Sequence, residues 1–293
     1  MKEKRLLSLL IFLTTFSFSA QVKGVVLDSI SGKPIPYVNI WVDNENIGTT
    51  SEENGTFSLD INEEKNIIFS ALGYETKILK STEIEKVNLY PKVYEMPQVV
   101  IEIPKLTNEL EVGDSKKMNH THFSGDKPWI YAKLFYFDEN YSETPFLKKI
   151  HFYSDSKIKN AKIKIRVFEI NDSLPDFDLL NEDIIVTVKK GMRKNTVDIS
   201  KYNIEFPRKG LLIGLEWLII DENKREYIYK DKENKIKKAI TYEPSLVVNY
   251  SETENTFRFS GGKWSRSKKY KLDNDKAWDN KILAPAINIT LTN

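Results

Sequence analysis

The chain has 293 residues, 40% of them hydrophobic and 29% charged, which suits about two compact domains and excludes wholesale disorder or a collagen repeat. It contains no cysteine, so disulfide scaffolds, thiol nucleophiles, thiolate metal sites and lipidation of a terminal Cys are all excluded. The 44 Lys and Arg exceed the 42 Asp and Glu by two, and that surplus lies in Lys2, Lys4 and Arg5 against Glu3; a chain neutral from residue 21 onward is not built as a nucleic-acid binder, whose affinity for phosphate needs surplus cations.

Residues 2–5 are basic, residues 6–13 are apolar apart from Ser8, and residues 17–20 read Ser-Phe-Ser-Ala ahead of Gln21. This is the pattern of a secretory signal, residues 1–20, cleaved after Ala20. Its apolar part is shorter than the ~20 residues needed to cross a hydrocarbon core. The longest later apolar run, residues 211–220, is interrupted by Gly214 and Glu216. The sequence therefore predicts an exported protein with no transmembrane segment after cleavage, placed in the periplasm, at the outer-membrane periphery or on the cell surface.

Residues 21–90 read as short β-prone runs at 22–27, 37–42, 56–61, 67–72, 76–79 and 87–90, a small antiparallel sandwich. Between them Ser31-Gly32, Pro34, Asp43-Asn44 and Asn54-Gly55 supply residues that tolerate positive φ or fix it near −65°. Val38, Ile40 and Val42 share one face of the second run and Tyr37, Asn39 and Trp41 the other, as expected of a strand buried on one side. Gly55 permits a tight hairpin, and Gly73 lets the chain leave a strand while Tyr74 packs back.

The string Gly24, Asp28, Ser31-Gly32, residues 34–40 (Pro-Ile-Pro-Tyr-Val-Asn-Ile), Gly48-Thr49-Thr50, residues 54–59 (Asn-Gly-Thr-Phe-Ser-Leu) and residues 69–75 (Phe-Ser-Ala-Leu-Gly-Tyr-Glu) resembles the carboxypeptidase regulatory-like domain. The resemblance implies a transthyretin-like β-sandwich of the kind found in secreted and surface proteins of Bacteroidota, often at the head of TonB-dependent transporters. Residues 94–101 resemble the short strand that follows the module in those proteins. About 190 further residues are too few for a transporter's plug and barrel. The family's zinc ligands and catalytic glutamate belong to a separate domain, so the module implies a scaffold rather than chemistry.

Residues 91–126, with Pro91, Pro97, Pro104 and a polar run from Thr107, read as a linker that includes one short strand at most. From residue 127 to 293 the β-prone runs return at 129–137, 146–153, 161–170, 184–189, 195–198, 210–221, 226–228, 246–250 and 286–291, a second sandwich of eight or nine strands. Trp129, Tyr131, Phe135 and Phe137 share a core face. Ile163, Ile165 and Val167 alternate with Lys162, Lys164 and Arg166, which predicts a solvated basic ridge. Residues 210–220 are apolar on both faces and predict the central strand. Residues 167–175, 197–200 and 214–217 resemble galactose-binding-like jelly rolls, without a ligand motif. The predicted fold class is thus all-β, a transthyretin-like sandwich followed by a jelly-roll-like one.

Candidate chemistry is sparse. His120 and His122 form a His-x-His pair that could chelate a metal from one strand face, yet their polar setting reads as a solvated connection. His151 sits between Ile150 and Phe152 and reads as a packed histidine. Asp172, Asp176, Asp178, Glu182 and Asp183 crowd residues 171–183, a candidate calcium loop but without the central glycine of an EF-hand, so a solvated connection is preferred. No nucleophile elbow, P-loop or dinucleotide fingerprint occurs. No metal site, cofactor or catalytic residue is therefore expected.

The best ligand-contact candidates are Trp264, Arg266, Tyr270 and Trp278, where aromatics alternate with cations in a Gly- and Ser-rich stretch suited to stacking on sugars and reaching carboxylates. The competing reading is that the two tryptophans cap the second sandwich. The sequence predicts a non-catalytic, secreted envelope component that binds or assembles, its ligand an outer-membrane or envelope protein or a glycan. A carbohydrate-active or peptidase-type hydrolase and a purely structural spacer are the alternatives.

Overall fold

The computed structural model describes residues 20–92, 108–171, 174–269 and 280–293. Among them regular structure is β, with short 3-10 turns and no α-helix. The first strands are β1 (Ala20–Asp28), β2 (Asn39–Val42), β3 (Gly48–Thr50), β4 (Thr56–Ile61), β5 (Asn66–Ser70), β6 (Lys77–Lys80) and β7 (Lys86–Leu89). They form two sheets, ordered β4-β1-β7 and β3-β2-β5-β6. Val26, Val38, Ile40, Phe57, Leu59, Ile67, Phe69 and Val87 fill the core between them.

One pairing departs from the antiparallel expectation: β1 and β7 run parallel, in register from Val25 with Lys86 to Asp28 with Leu89. Parallel neighbours need a crossover rather than a hairpin, and the crossover is the chain from β2 to β6 passing through both sheets. The expected hairpin at Gly55 is instead a turn that carries the chain from β3 in one sheet to β4 in the other; Gly55 has φ +75° and a Cβ there would lie 2.7 Å from the Val26 carbonyl oxygen, so glycine is required by conformation and by space. The Asn54 side chain accepts from the Thr56 amide at 3.1 Å and closes the same turn.

The remaining strands are β8 (Glu109–Val112), β9 (Thr121–His122), β10 (Ile130–Phe135), β11 (Phe146–Ser156), β12 (Ala161–Asn171), β13 (Leu174–Asp178), β14 (Ile184–Val188) and β15 (Gly191–Asp198). They continue with β16 (Leu211–Trp217), β17 (Lys224–Lys230), β18 (Ile236–Tyr242), β19 (Ser245–Ser251), β20 (Thr256–Ser260), β21 (Lys263–Arg266), β22 (Ile282–Pro285) and β23 (Ile287–Thr292). One sheet runs β13-β12-β16-β10-β20-β21, with β14 also on β12. The facing sheet runs β22-β19-β11-β23-β8, with β15 on β11 and β9 on β19. Strands β17 and β18 pair only with each other, as a separate ribbon.

Tyr131, Phe135, Ile163, Ile165, Val167, Ile213 and Trp217 from the first sheet meet Leu147, Ile150, Phe152, Leu246, Ile287 and Ile289 from the second. The expected central strand is β16, buried at every position between β12 and β10. The stretch expected to be a linker contributes more structure than foreseen. Strand β8 extends the second sheet beside β23, β9 pairs with β19, and Ser115 is buried, its hydroxyl donating to the Ile287 carbonyl oxygen at 3.0 Å. Short strands β13, β18, β20, β21 and β22 also exceed the eight or nine expected, because isolated four- to seven-residue runs with mixed polarity give no periodicity to detect.

Candidate functional site

The face expected to carry a solvated basic ridge is instead covered by the first domain. Along β2 and the residues that lead into it, Tyr37 reaches β12, Asn39 reaches β16 and Trp41 reaches β20, so this segment runs across the sheet beneath it. Lys164 Nζ donates to the Tyr37 carbonyl oxygen at 2.8 Å and lies 2.9 Å from Asp183 Oδ2. Arg166 forks between Asp178 and Glu216, its Nη1 lying 2.7 Å from Glu216 Oε2, and the Asn39 amide donates to the other Glu216 oxygen. Lys162 donates to the Tyr37 hydroxyl at 3.1 Å and pairs with Glu222 at 2.7 Å. Trp41 packs edge-on to Phe259, with centroids 6.1 Å apart.

The electrostatics follow from this burial. Burial opposes the Arg166 charge, but Glu216 and Asp178 more than offset it and hold its pKa above the ordinary value. Burial likewise opposes ionised Glu216, and Lys164 and Arg166 outweigh it, so the carboxyl titrates below its usual range. Asp178 shares a single guanidinium and is left with burial dominant, which raises its pKa. Two cations thus serve three carboxylates in a low-dielectric seam; such a network fixes geometry, because breaking it strands an uncompensated charge.

A cleft of about 640 Å³ opens between the two domains and the ribbon, lined by none of the seam residues. Asp60 of β4, Asp126 and Lys127 of the connection, and Lys238, Ile240 and Tyr242 of β18 line it. Burial, with Asp221, Asp126, Glu52 and Asp60 around it, raises the Tyr242 phenol pKa, so the hydroxyl stays a hydrogen-bond donor. The volume is of small-ligand size, and charges of both signs line a wall that also offers isoleucine. Sequence reasoning missed this cleft. Its lining comes from chain segments around residues 46–60, 125–127 and 238–242, and no local signal joins them.

The expected contact residues fall elsewhere. Trp264 lies on β21, half-buried, against Phe168 and Phe259 with ring centroids 5.3 Å away in both cases. Phe168 belongs to β12, four strands from β21, so the sheet curls over its outer face to make this contact. Arg266 is exposed but engaged: Nε donates to the Glu254 carbonyl oxygen and Nη2 to the Tyr136 hydroxyl at 2.8 Å. Tyr270 and Trp278 lie outside the described residues. The turn before Trp264 touches the first domain: Gly262 has φ +76°, and a Cβ there would lie 2.8 Å from Trp41 Nε1.

The histidines have packing environments. His122 is not solvated. It sits among Trp129, Tyr131 and Trp217, with centroids 4.7, 5.1 and 6.2 Å away, and burial together with Arg258 pushes its pKa down to about 4. His120 lies against Tyr250 at 5.3 Å. His151 is packed as expected, Nδ1 2.9 Å from Thr196 Oγ1 and Nε2 2.8 Å from Thr290 Oγ1. The crowd of acids up to Asp183 is solvated only in part: Asp176 and Glu182 are exposed as expected, whereas Asp178 and Asp183 turn to the seam cations. Asp178 pairs with Arg166, Asp183 with Lys164 and Glu182 with Lys201, so these carboxylates hold side-chain cations; Asp172 lies outside the described residues.

Fold and cleft define an all-β protein with two cores joined by a polar seam. Residues 22–101 match the CarboxypepD_reg-like domain family, a span that contains nearly all of the first core. No curated protein matches the chain. Among solved structures, the chain is similar to the cysteine protease and lectin-like domains of Cwp84, a surface layer associated protein of Clostridium difficile. That similarity has 10% identity and a TM-score of 0.32, and covers 61% of this chain and 37% of that one. A second structure, a variant of the clostridial cysteine protease Cwp84 after propeptide cleavage, gives 9% identity and a TM-score of 0.36 over 92% of this chain and 61% of that one. The chain therefore spans less than two thirds of either structure, and likenesses of this extent transfer neither fold nor function.

Proposed function

We propose that this is a non-catalytic binding or assembly component of the cell envelope, exported by its first 20 residues, in which a carboxypeptidase regulatory-like module and a jelly-roll-like domain are locked together to shape one ligand cleft. The observation that carries this reading is the cleft between the two domains and the β17–β18 ribbon. The Lys164–Asp183 and Arg166–Glu216 pairs belong to the seam that joins the two domains, while Asp60, Asp126, Lys127 and Lys238 offer charge to a ligand in the cleft from strands and a short connection. A polar glycan or an extended peptide of an envelope protein suits such a lining, through hydrogen bonds to its hydroxyls or backbone and apolar contact with Ile240. The β20–β21 hairpin carrying Trp264 and Arg266 is the second candidate surface.

The test is a glycan array and an envelope-peptide panel, read by calorimetry, with wild type, Asp126→Ala/Lys238→Ala and Trp264→Ala. Saturable binding weakened at least about tenfold by the cleft variant supports the proposal. Loss only in Trp264→Ala moves the site to the hairpin. Absence of any saturable ligand favours the spacer, and turnover of a panel member with a bell-shaped pH profile favours the hydrolase.

A further inference from the structure

The β17–β18 ribbon is unlike the rest of the molecule. It pairs with no other strand, and an isolated two-stranded ribbon is marginal in water unless something packs on it. Arg225 paired with buried Glu243 at 2.6 Å, and the Tyr242 amide donating to the Gly125 carbonyl oxygen at 3.2 Å, fasten its base. Its distal half carries large apolar side chains in the open: Ile228 is 66% exposed, Ile236 71% and Tyr229 45%. The register places Ile228 and Ile236 on one face, and Tyr229 with Tyr227 on the other, their rings 5.9 Å apart.

The ribbon is also where positive charge collects. Residues 224–242 hold seven Lys and Arg and three Asp and Glu, whereas the whole chain carries a net charge of only +2. Two of the three acids are already engaged within the turn. Asp231 accepts from the Glu233 and Lys235 amides at 2.9 Å each, and Glu233 pairs with Lys235 at 2.7 Å. Lys230, Lys232, Lys237 and Lys238 make no ion pair among the described residues.

We propose that the distal half of this ribbon docks on an anionic lipid bilayer, Ile228, Ile236 and Tyr229 entering the interfacial layer while Lys230, Lys232 and Lys237 meet lipid phosphates. Two features select this occupant. Apolar side chains stand on both faces of the ribbon, and an interfacial layer surrounds a ribbon on both faces where a protein site covers one. The uncompensated lysines on long stems around them fit a negative plane, to which each basic residue adds attraction that salt screens. Two ribbons from two copies would meet with like charge, which disfavours self-pairing.

The experiment is flotation of the full chain with vesicles of phosphatidylglycerol and phosphatidylcholine at 3:7, and of phosphatidylcholine alone. The comparison variants are Ile228→Asp/Ile236→Asp and Lys230→Glu/Lys237→Glu; each retains residues 1–20, so lipid affinity of that segment is common to all. We expect each variant to partition into anionic vesicles at least about tenfold more weakly than wild type, and wild-type binding to fall in 0.5 M NaCl. An Ile236→Trp probe, read by fluorescence, should shift to the blue on adding anionic vesicles. Equal partitioning of wild type and both variants, no preference for the anionic lipid, or an unshifted signal from the tryptophan probe would overturn the proposal, as would ribbon-dependent capture of an acidic protein without vesicle binding.

Discussion

Lys164 of the second domain donates from Nζ to the backbone carbonyl oxygen of Tyr37 in the first, at 2.8 Å. Tyr37 has φ +56°, a conformation that a bulky residue adopts at a cost of about 1–3 kcal/mol and keeps only where its surroundings fix it. Those surroundings are visible. Its amide donates to the Ser51 carbonyl oxygen at 3.1 Å, the Ser51 hydroxyl accepts from the Val38 amide at 2.8 Å, and its ring packs with Leu218 and Ile220. The join between domains thus combines a backbone carbonyl of the first domain with side chains of both, since the Asn39 amide and the Tyr37 hydroxyl also reach the second domain.

Removing a cation from this join should be costly. Arg166→Met leaves Glu216 and Asp178 buried without their guanidinium, and a loss of about 3–5 kcal/mol in urea unfolding is expected. Arg166→Met/Glu216→Met should recover part of that loss, since the double change removes both charges. A single variant within about 0.5 kcal/mol of wild type would show that the seam does not hold the domains.

Because the two cores share the seam, they should unfold together. Calorimetry of the whole chain is expected to give one transition whose calorimetric and van't Hoff enthalpies agree. Gly262→Ala places a Cβ 2.8 Å from Trp41 Nε1 at a positive φ and should lower stability by roughly 1–3 kcal/mol, or split the transition by loosening the first domain. Two resolved transitions in wild type would contradict the coupling.

His122 supplies a pH dependence with a definite sign. Its pKa falls from 6.5 to about 4 on folding, so between those values the unfolded chain binds the extra proton and stability declines as pH falls. Allowing for partial solvent access, the loss attributable to His122 by pH 4.5 should be about 2 kcal/mol. His122→Phe keeps a ring among Trp129, Tyr131 and Trp217 and should flatten the pH 6.5 to 4.5 slope relative to wild type. Parallel slopes for the two proteins would refute this assignment.

Trp264→Ala is expected to cost about 2 kcal/mol, less than full burial would give, since the ring covers Phe168 and Phe259 while remaining half open. Thermal unfolding checks this. Unchanged stability would leave the tryptophan free for a ligand role, whereas the expected loss assigns it to packing first.

Much of the fold was legible because β periodicity is local. Alternation at Val38, Ile40 and Val42 marked a core face, the unbroken apolar run around Ile213 marked the central strand, and Asn54-Gly55 marked a turn, though one that passes between sheets rather than a hairpin. The parallel β1–β7 pair and the β9 strand were not legible, since each depends on a partner far along the chain. The candidate site was less visible still. Lys162, Lys164 and Arg166 alternate as an exposed ridge does, and nothing local to them announces Tyr37 or Asn39.

The amino-acid order by itself determined which residues share a strand face, where the chain turns, and that a regulatory-like module heads a longer β domain. Tertiary structure alone decided what covers each face: that the ridge lies under the first domain, that His122 is enclosed by aromatics, and that segments around residues 60, 126 and 240 meet at one cleft. The reason is physical. Pleating sets side-chain direction within a strand through covalent geometry, whereas solvent is removed from a face only by atoms distant in sequence, and the pattern of a polar face is the same whether water or a complementary charge lies against it.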